Sequence, residues 1–512
     1  MADTVAGLLR RNAADPDRIF TILPEGDTIT YAGQFARSPG VAASLRRLGA
    51  QPGDRIHAQL PNCPEFFDIW FATALSGTVL VPTNPQSFAD ELRHILDDAI
   101  PVVSIRGAAE VAEMRSGTRT TPRDDTGEEP GRGAAILCTS GTTSRAKGVG
   151  VTDTNCVAVG NAVAEQLAVT AADWCLVVLP LFHANAQYYC TMSALVRGAS
   201  LALPPRFSAG GWARQARTTG ATLASLFAAL VRMILAGSAQ PLDGHNRLRA
   251  VLFAQNLTAT DAATFERRFG IRLVQLYGMT ETVLPPTMNP VDENRRWDSI
   301  GRPLPGVTVD LVDRTGTVVD SPGTGEMRIA GRPGETLAAG YWHDLQATEE
   351  TFTDQGLRTG DLARRDSDGF LYFVDRAKEM IKRSGENVSA GEIERVAGEH
   401  PAAAECAAIG VADPIRDEAI VLVAVVRSGH GLTTSDLLGW CAERLSAFKV
   451  PSFVVLVGNL PRTSVGKVHT AELSTRSEIR TLGSQPHVTR SPTAAGLADC
   501  PKGKSTTDGI VT

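Results

Sequence analysis

An α/β protein of more than one domain is predicted by three features of the 512-residue sequence. Short continuous apolar runs alternate with helix-like segments between residues 134 and 278. Runs of antiparallel character follow over residues 306–374, and a separate, smaller pattern of helix and strand begins after residue 375. A chain of this length exceeds what one hydrophobic core serves. The expected architecture is therefore a large N-terminal domain of layered αβα sheets with a β-rich subdomain, followed by a small α+β domain.

The elements justify this in order. Among the first residues, ELRHILDDA (91–99) has helical spacing, and TVLVPTNP (78–85) reads as a strand ending at prolines. Residues 115–133 are polar, rich in Gly and Pro and nearly free of apolar side chains, as in an exposed linker. AAILCT, WCLVVLP, VLFA and LVQLYG then supply apolar runs interleaved with helices, the pattern of a largely parallel sheet covered on both faces. VTVDLVD, EMRIAG and FLYFVD form the β-rich part. In the last domain, EIERVAGEH is a helix, AAIGV and IVLVAVV are strands, and TTSDLLGWCAERLSA is a helix with a hydroxyl N-cap. From about residue 481 periodicity is lost and a disordered tail is expected.

Composition narrows the function. Hydrophobic residues make up 43%, charged residues 21%, and the net charge is −6, with no basic block of the kind nucleic acid selects. No apolar run reaches the about 20 residues that span a bilayer, and the N-terminus has no signal-peptide core. Eight cysteines, none in a CxxC pair and none at metal-ligand spacing, suit a reducing compartment. The expectation is a cytoplasmic enzyme with neither nucleic-acid nor membrane partners.

Four motifs bear on chemistry. TSGTTSRAKGVG (139–150) follows a predicted strand, so its backbone N–H groups, hydroxyls and Lys147 suit a phosphate, although a cluster of this kind taken alone is more often a solvated turn. Gly141 and Gly148 permit backbone angles that other residues resist. Lys147 is followed by glycine, so this is not a Walker A loop. LYGMTET (276–282) puts Glu281 beside Thr280 and Thr282 at a strand end, which suits either Mg²⁺ bridging phosphate oxygens or an exposed turn. In LRTGDLARRDSDGFLYFVDRAKEMIKRSGENVS (357–389), Asp361 follows a Thr-Gly turn where a carboxylate can accept ribose hydroxyls, and DRAK marks either a functional boundary or a solvated linker. LPRTSVGKVHT (460–470) holds Lys467 after a glycine turn, a position that by itself reads as surface charge.

The joint order of these motifs, with PLFH (180–183), GEMRIAG, YWHDLQATEETF and HPAAAECAAIGVADPIRDEAIV, resembles the AMP-forming acyl-adenylate superfamily of acyl-CoA synthetases, luciferases and nonribosomal-peptide adenylation domains. The resemblance runs from about residue 30 to about residue 473. TSGTTSRAKGV, RRWDSIGRP, FVDRAKEMIKRSGENVS and DPIRDEAI are most similar to the crotonobetaine/carnitine-CoA ligase group.

The resemblance implies ATP and Mg²⁺, a small-molecule acid substrate, and CoA or a phosphopantetheine thiol as acceptor. It implies an AMP-binding domain over residues 1–374, a hinge at 375–378 with Lys378 at its pivot, a mobile C-terminal domain over 379–480 and a tail over 481–512. Thr139, Ser140, Gly141, Thr142, Thr143 and Lys147 would wrap the β- and γ-phosphates. Thr280 would touch the α-phosphate, and Glu281 with Thr142 would hold the metal. Ala254, Gln255, Asn256, Tyr277, Gly278, Met279 and Phe373 would line the nucleotide site, with Asp361 and Arg376 on the ribose. Lys467 would stabilise the adenylation transition state. His183, Ala184, Phe227, Ala254, Gly278, Met279 and Leu284 would line the acyl pocket, and Gly385 the thiol tunnel.

Two amides in AQN (254–256) favour a polar or hydrogen-bonding acid. Departures from the superfamily pattern are Ser144 and Ala146 in the loop, Asp417, and Thr470 three residues past Lys467. The resulting expectation is an acid–CoA ligase for a small polar or aromatic acid, as a monomer or homodimer. The alternatives are a carrier-protein-loading adenylation enzyme, a diazotase-type enzyme activating nitrite for an amine, and a non-catalytic nucleotide-binding scaffold.

Overall fold

The computed structural model describes residues 4–87, 89–116, 131–139, 147–255, 257–376, 381–383, 386–413, 417–462, 467–476, 479 and 482. The chain divides into two compact units, Met1–Thr359 with Ala363–Phe373, and Gly360–Leu362 with Val374–Thr512.

The first unit is built on three sheets. The largest has nine strands, and its centre is parallel: Ile19–Ile22, Ser200–Ala202, Trp174–Leu176, Leu223–Phe227, Ala250–Ala254 and Arg272–Tyr277 lie side by side in that order. These strands are buried almost end to end, which is why they read as unbroken apolar runs. Antiparallel strands close both edges. The second sheet has six strands, with Val79–Pro82, Arg55–Ala58 and Val103–Ile105 parallel. Gly133–Cys138 pairs parallel with Val79–Pro82, as its apolar run suggested, and on its other side forms an antiparallel hairpin with Gly148–Thr152, a strand the sequence reading did not include. The connection between the two hairpin strands is too short for the crossover that parallel strands need.

Helix Pro64–Ser76 packs into the core shared by the two sheets and is buried nearly all round. Phe20 meets Phe67 edge-on and Phe71 at a tilt there, Trp70 stacks on Phe71, and Phe66 meets Trp70 edge-on, each ring burying a large apolar area. The third sheet carries Thr308–Val312, Gly323–Ala330, Gly356–Arg365 and Leu371–Arg376, so this region is β-rich as expected.

The polar stretch expected as a linker from residue 115 is shorter than predicted. Helix Ala108–Ser116 takes in Arg115, whose Nη1 lies 3.1 Å from the buried Asp68 carboxylate, and a strand begins at Gly133. Asp68 also takes a bidentate pair from Arg37 at 2.7 Å. A buried carboxylate is tolerated only when paired in this way.

In the second unit, Asp417–Val426 lies between Ala403–Asp413 and the parallel strand Phe453–Val457. Ile420, Leu422 and Ala424 face one apolar cluster, while Ala419, Val421 and Val423 face another. That period of two is the mark of a strand buried on both faces. Helices Ala390–Gly398 and Thr434–Ala442 are capped by the Ser389 and Thr433 hydroxyls. Ile479 and Leu482 are buried in the second cluster, so packing continues past the expected start of the tail.

His57 is buried on strand Arg55–Ala58, with Ser104 Oγ 2.6 Å from Nδ1 and Thr83 Oγ1 2.8 Å from Nε2. Burial, reinforced by the Arg106 charge, lowers its pKa to about 4. The unfolded chain, with an ordinary value near 6.5, therefore binds the extra proton on acidification. Stability from this group is full above pH 6.5 and is lost as the pH falls towards 4, by about 3 kcal/mol in all. His57→Gln should remove one proton's worth of that slope, read from urea unfolding at a series of pH values.

Candidate active site

Three adjacent strands set the floor of the site. Leu223–Phe227, Ala250–Ala254 and Arg272–Tyr277 are parallel, with Phe227 opposite Ala254 and Phe253 opposite Gln275. Their carboxyl ends therefore emerge together, the edge where open α/β sheets bind ligands. Phe227, Ala254, Gln255, Tyr277, Gly278, Met279 and Thr280 all lie at or just past this edge. Phe227 and Ala254 are half-buried there.

Each strand end has a local device. Gln255 sits at φ 75°, a left-handed conformation that costs a non-glycine residue energy. Gln275 Nε2 donates to the Gln255 carbonyl at 3.0 Å and holds it there. At Gly278 an added Cβ would stand 2.6 Å from the Tyr189 hydroxyl, so only glycine lets the backbone pass. Tyr277 and, more loosely, Met279 and Phe373 pack on one apolar cluster with Ile300 and Leu371. Beyond Met279, Thr280–Thr282 makes a single 3₁₀ turn, closed by Thr282 Oγ1 accepting from the Met279 N–H at 3.2 Å.

Of the residues expected to line an acyl pocket, Phe227, Ala254, Gly278 and Met279 lie at this edge. The His183 ring lies 4.1 Å from that of Phe182 at a tilt, and Ala184 leads into a π-helix, Asn185–Met192. Such wide turns are rare and recur at functional sites. Ser225 Oγ donates to Asn185 Oδ1 at 2.7 Å, joining this helix to the sheet. Leu284 is buried just after the 3₁₀ turn.

The glycine- and hydroxyl-rich loop is pinned at both ends. The Thr139 N–H donates to the Lys147 carbonyl at 2.9 Å, and the Lys147 N–H reaches Thr139 Oγ1 at 3.3 Å. Gly148 is needed for close packing, not for an unusual φ as the sequence suggested: a Cβ there would lie 2.7 Å from Ile136 Cγ2. Ser140, Gly141, Thr142 and Thr143 lie outside the described residues, as do Asn256, Lys378, Gly385 and the side chain of Arg376.

Glu281 is the buried carboxylate of the first unit's site, 7% exposed. The Tyr341 hydroxyl donates to its Oε1 at 2.8 Å, and its carbonyl accepts from the Ala338 N–H at 3.0 Å. Burial first, and then the Glu281 charge, push the Tyr341 phenol above its ordinary range, so it stays a donor. The Tyr341 ring also lies 4.6 Å beneath Lys147 Nζ. Gly340–Tyr341 pairs with Gly148–Thr152, which brings the segment to the foot of the loop. Tyr189 and Asn185 are not singled out in the sequence, and Tyr341 enters only as the first residue of YWHDLQATEETF with no role, since each meets a partner far away along the chain.

Among the described residues no group of three or more His, Cys, Asp or Glu could hold a metal. A single buried carboxylate beside a phosphate-type loop fits Mg²⁺, which takes one or two protein carboxylates plus substrate phosphates. In the second unit, Asp361 is buried on strand Gly356–Arg365, and Arg376 ends strand Leu371–Arg376. Lys467 is exposed, beside the bridge that pairs Arg462 with Val468.

A parallel sheet whose strand ends share one edge, with a glycine-rich loop pinned at both ends and a buried carboxylate nearby, is the architecture of a ligand-binding α/β protein. The chain belongs to the AMP-binding enzyme family. That family's model matches residues 8–342, and the model of the AMP-binding enzyme C-terminal domain matches residues 392–467. The crotonobetaine/carnitine–CoA ligase of Salmonella paratyphi A is 34% identical over 473 residues, 86% of this chain and 92% of its own. ATP-bound MatB from Rhodopseudomonas palustris has the same fold at a TM-score of 0.86 and 26% identity, covering 93% of this chain and 99% of its own. The o-succinylbenzoate CoA synthetase of Bacillus subtilis, in complex with its acyl-adenylate intermediate, gives 0.83 at 25% identity over 92% of this chain and 98% of its own. Among the described residues no helix is long and apolar enough to cross a membrane.

The backbone strain at Gln255 makes a direct prediction. Gln255→Gly relieves a left-handed non-glycine residue and should raise unfolding free energy by about 1 kcal/mol. A lower urea midpoint would instead mean that the amide side chain stabilises the fold more than its backbone strains it.

Proposed function

We propose that the protein is an ATP-dependent, AMP-forming acid–CoA ligase acting on a small polar or aromatic carboxylic acid. The observation that carries this reading is the buried Glu281 carboxylate, held by Tyr341 beside the pinned 139–147 loop at the carboxyl edge of the parallel sheet. The named relatives, a crotonobetaine/carnitine–CoA ligase and an o-succinylbenzoate CoA synthetase, support CoA as the acceptor.

In this reading a substrate carboxylate oxygen attacks the α-phosphorus of ATP. The bond to the β-phosphate bridging oxygen breaks, giving an acyl-adenylate and pyrophosphate. The CoA sulfur then attacks the acyl carbon, its proton leaves, and AMP departs. The first barrier lies in bringing two anions together, so positioning and charge stabilisation dominate. Mg²⁺ would neutralise phosphate charge, with Glu281 and Thr142 holding it. Thr139, the hydroxyls of the loop and Lys147 bind the β- and γ-phosphates, and Thr280 the α-phosphate. Asp361 and Arg376 bind the ribose. Residues 379–480 act as a mobile domain, pivoting at Lys378 to bring Gly385 to the thiol.

The Asn185–Ser225 pair near His183, together with the Gln255 amide, supports a polar acid. AMP and pyrophosphate release over a panel of acids, with and without CoA, tests the reading. AMP formation that needs both a small polar or aromatic acid and CoA is the expected result. Release with nitrite and an aryl amine, or acyl loading of a carrier protein in place of CoA, would replace it.

Lys467 is assigned to the adenylation half-reaction. Lys467→Ala should slow acyl-adenylate formation by about 10²–10³, the range for losing one oxyanion donor. Transfer to CoA from supplied acyl-adenylate should persist. Equal loss of both steps would show a general defect and refute the assignment.

A further inference from the structure

We infer that Tyr341 is a positioning residue for the metal–ATP complex, its hydroxyl fixing the Glu281 carboxylate and its ring supporting Lys147. This rests on the reading of Glu281 as the metal-holding residue and adds to it a partner from a different part of the fold. Glu281 follows the nine-stranded sheet, whereas Tyr341 belongs to the edge strand of the six-stranded sheet.

Three contacts make Tyr341 rigid. Gly340–Tyr341 is paired in register with Gly150 and Val149. The Tyr341 N–H donates to Thr348 Oγ1 at 2.9 Å, and the ring meets Phe352 edge-on at 5.9 Å. The preceding segment is stitched down as well. Thr152 Oγ1 donates to the Gly334 carbonyl at 2.6 Å, and Asn155 Nδ2 donates to the carbonyls of Glu335 and Leu337 at 2.7 and 2.8 Å. A phenol held this firmly sets the rotamer of the carboxylate it bonds.

The chemistry explains why that matters. Mg²⁺ demands near-ideal octahedral geometry and tolerates a misplaced oxygen poorly. A side chain that orients a metal-bound group typically changes metal affinity by about 10–100-fold when removed. On the other side of the ring, Lys147 Nζ lies 4.6 Å from the centroid and 3.9 Å from Asp344 Oδ2. The exposed ion pair is worth little, and the ring adds a second contact to this cation among the described residues. Tyr341 thus touches both the group assigned to the metal and a group assigned to the β- and γ-phosphates.

Tyr341→Phe isolates the hydroxyl, since it keeps the ring under Lys147 and against Phe352. ATP binding is measured by calorimetry across a range of free Mg²⁺, and melting temperature is measured alongside. The expected result is an about tenfold rise in the Mg²⁺ needed for half-maximal tightening of ATP. Affinity for metal-free ATP should be unchanged. Glu281→Gln should raise the requirement at least as much, and adding Tyr341→Phe to it should change nothing further. If Glu281→Gln leaves the Mg²⁺ dependence intact, the metal reading of Glu281 fails and this inference with it. If only Tyr341→Phe is silent, the positioning role alone fails. An equal loss of ATP affinity with and without Mg²⁺, or a further shift in the double variant, would also overturn it.

Discussion

The common register of three parallel strands is the constraint on which the site depends. Phe227, Ala254 and Tyr277 each end a strand, and the pairing of Phe227 with Ala254 and of Phe253 with Gln275 brings those ends to one edge. Gln255, Gly278, Met279 and Thr280 follow directly from those strand ends. A slip of one residue in any strand would turn its side chains to the other face and dismantle the arrangement. Burial on both faces, by the two apolar clusters that flank the sheet, is what locks the register.

A second level of order joins the two large sheets. The segment 334–341 bonds to Thr152 and Asn155 on one side and to Glu281 on the other. The pinned loop and the buried carboxylate therefore do not float independently. A phosphate chain needs positive and metal-borne charge at fixed separation, and backbone pairing supplies that more precisely than flexible side chains do.

The site also stores local costs. Gln255 holds a left-handed backbone, and Gly278 leaves no room beside the Tyr189 hydroxyl. Both lie at strand ends, where the chain must turn sharply while its backbone stays accessible. The π-helix at Asn185–Met192 belongs with them, as it widens the helix beside the same edge. Such departures from regular geometry concentrate where ligands are handled, and the surrounding core over-determines them.

Sequence by itself determined the layered α/β class, most of the strands, the two-part division of motifs and the family. Each of these follows from local apolar periodicity or from short motifs whose chemistry is carried within a few residues. It singled out the 139–147 loop, Glu281, Asp361 and Lys467 as candidates only through the joint order of their motifs, since each motif alone reads equally well as a turn, a linker or surface charge. Tertiary structure alone decided that 133–152 is an antiparallel hairpin, that Arg115 belongs to a helix bonded to Asp68, and that packing extends to Leu482. It alone brought Tyr341 to Glu281, 60 residues away, and Tyr189 to Gly278. Those contacts arise from how separate sheets and helices stack, and no local pattern in the chain encodes a distance between elements that meet only in the folded core.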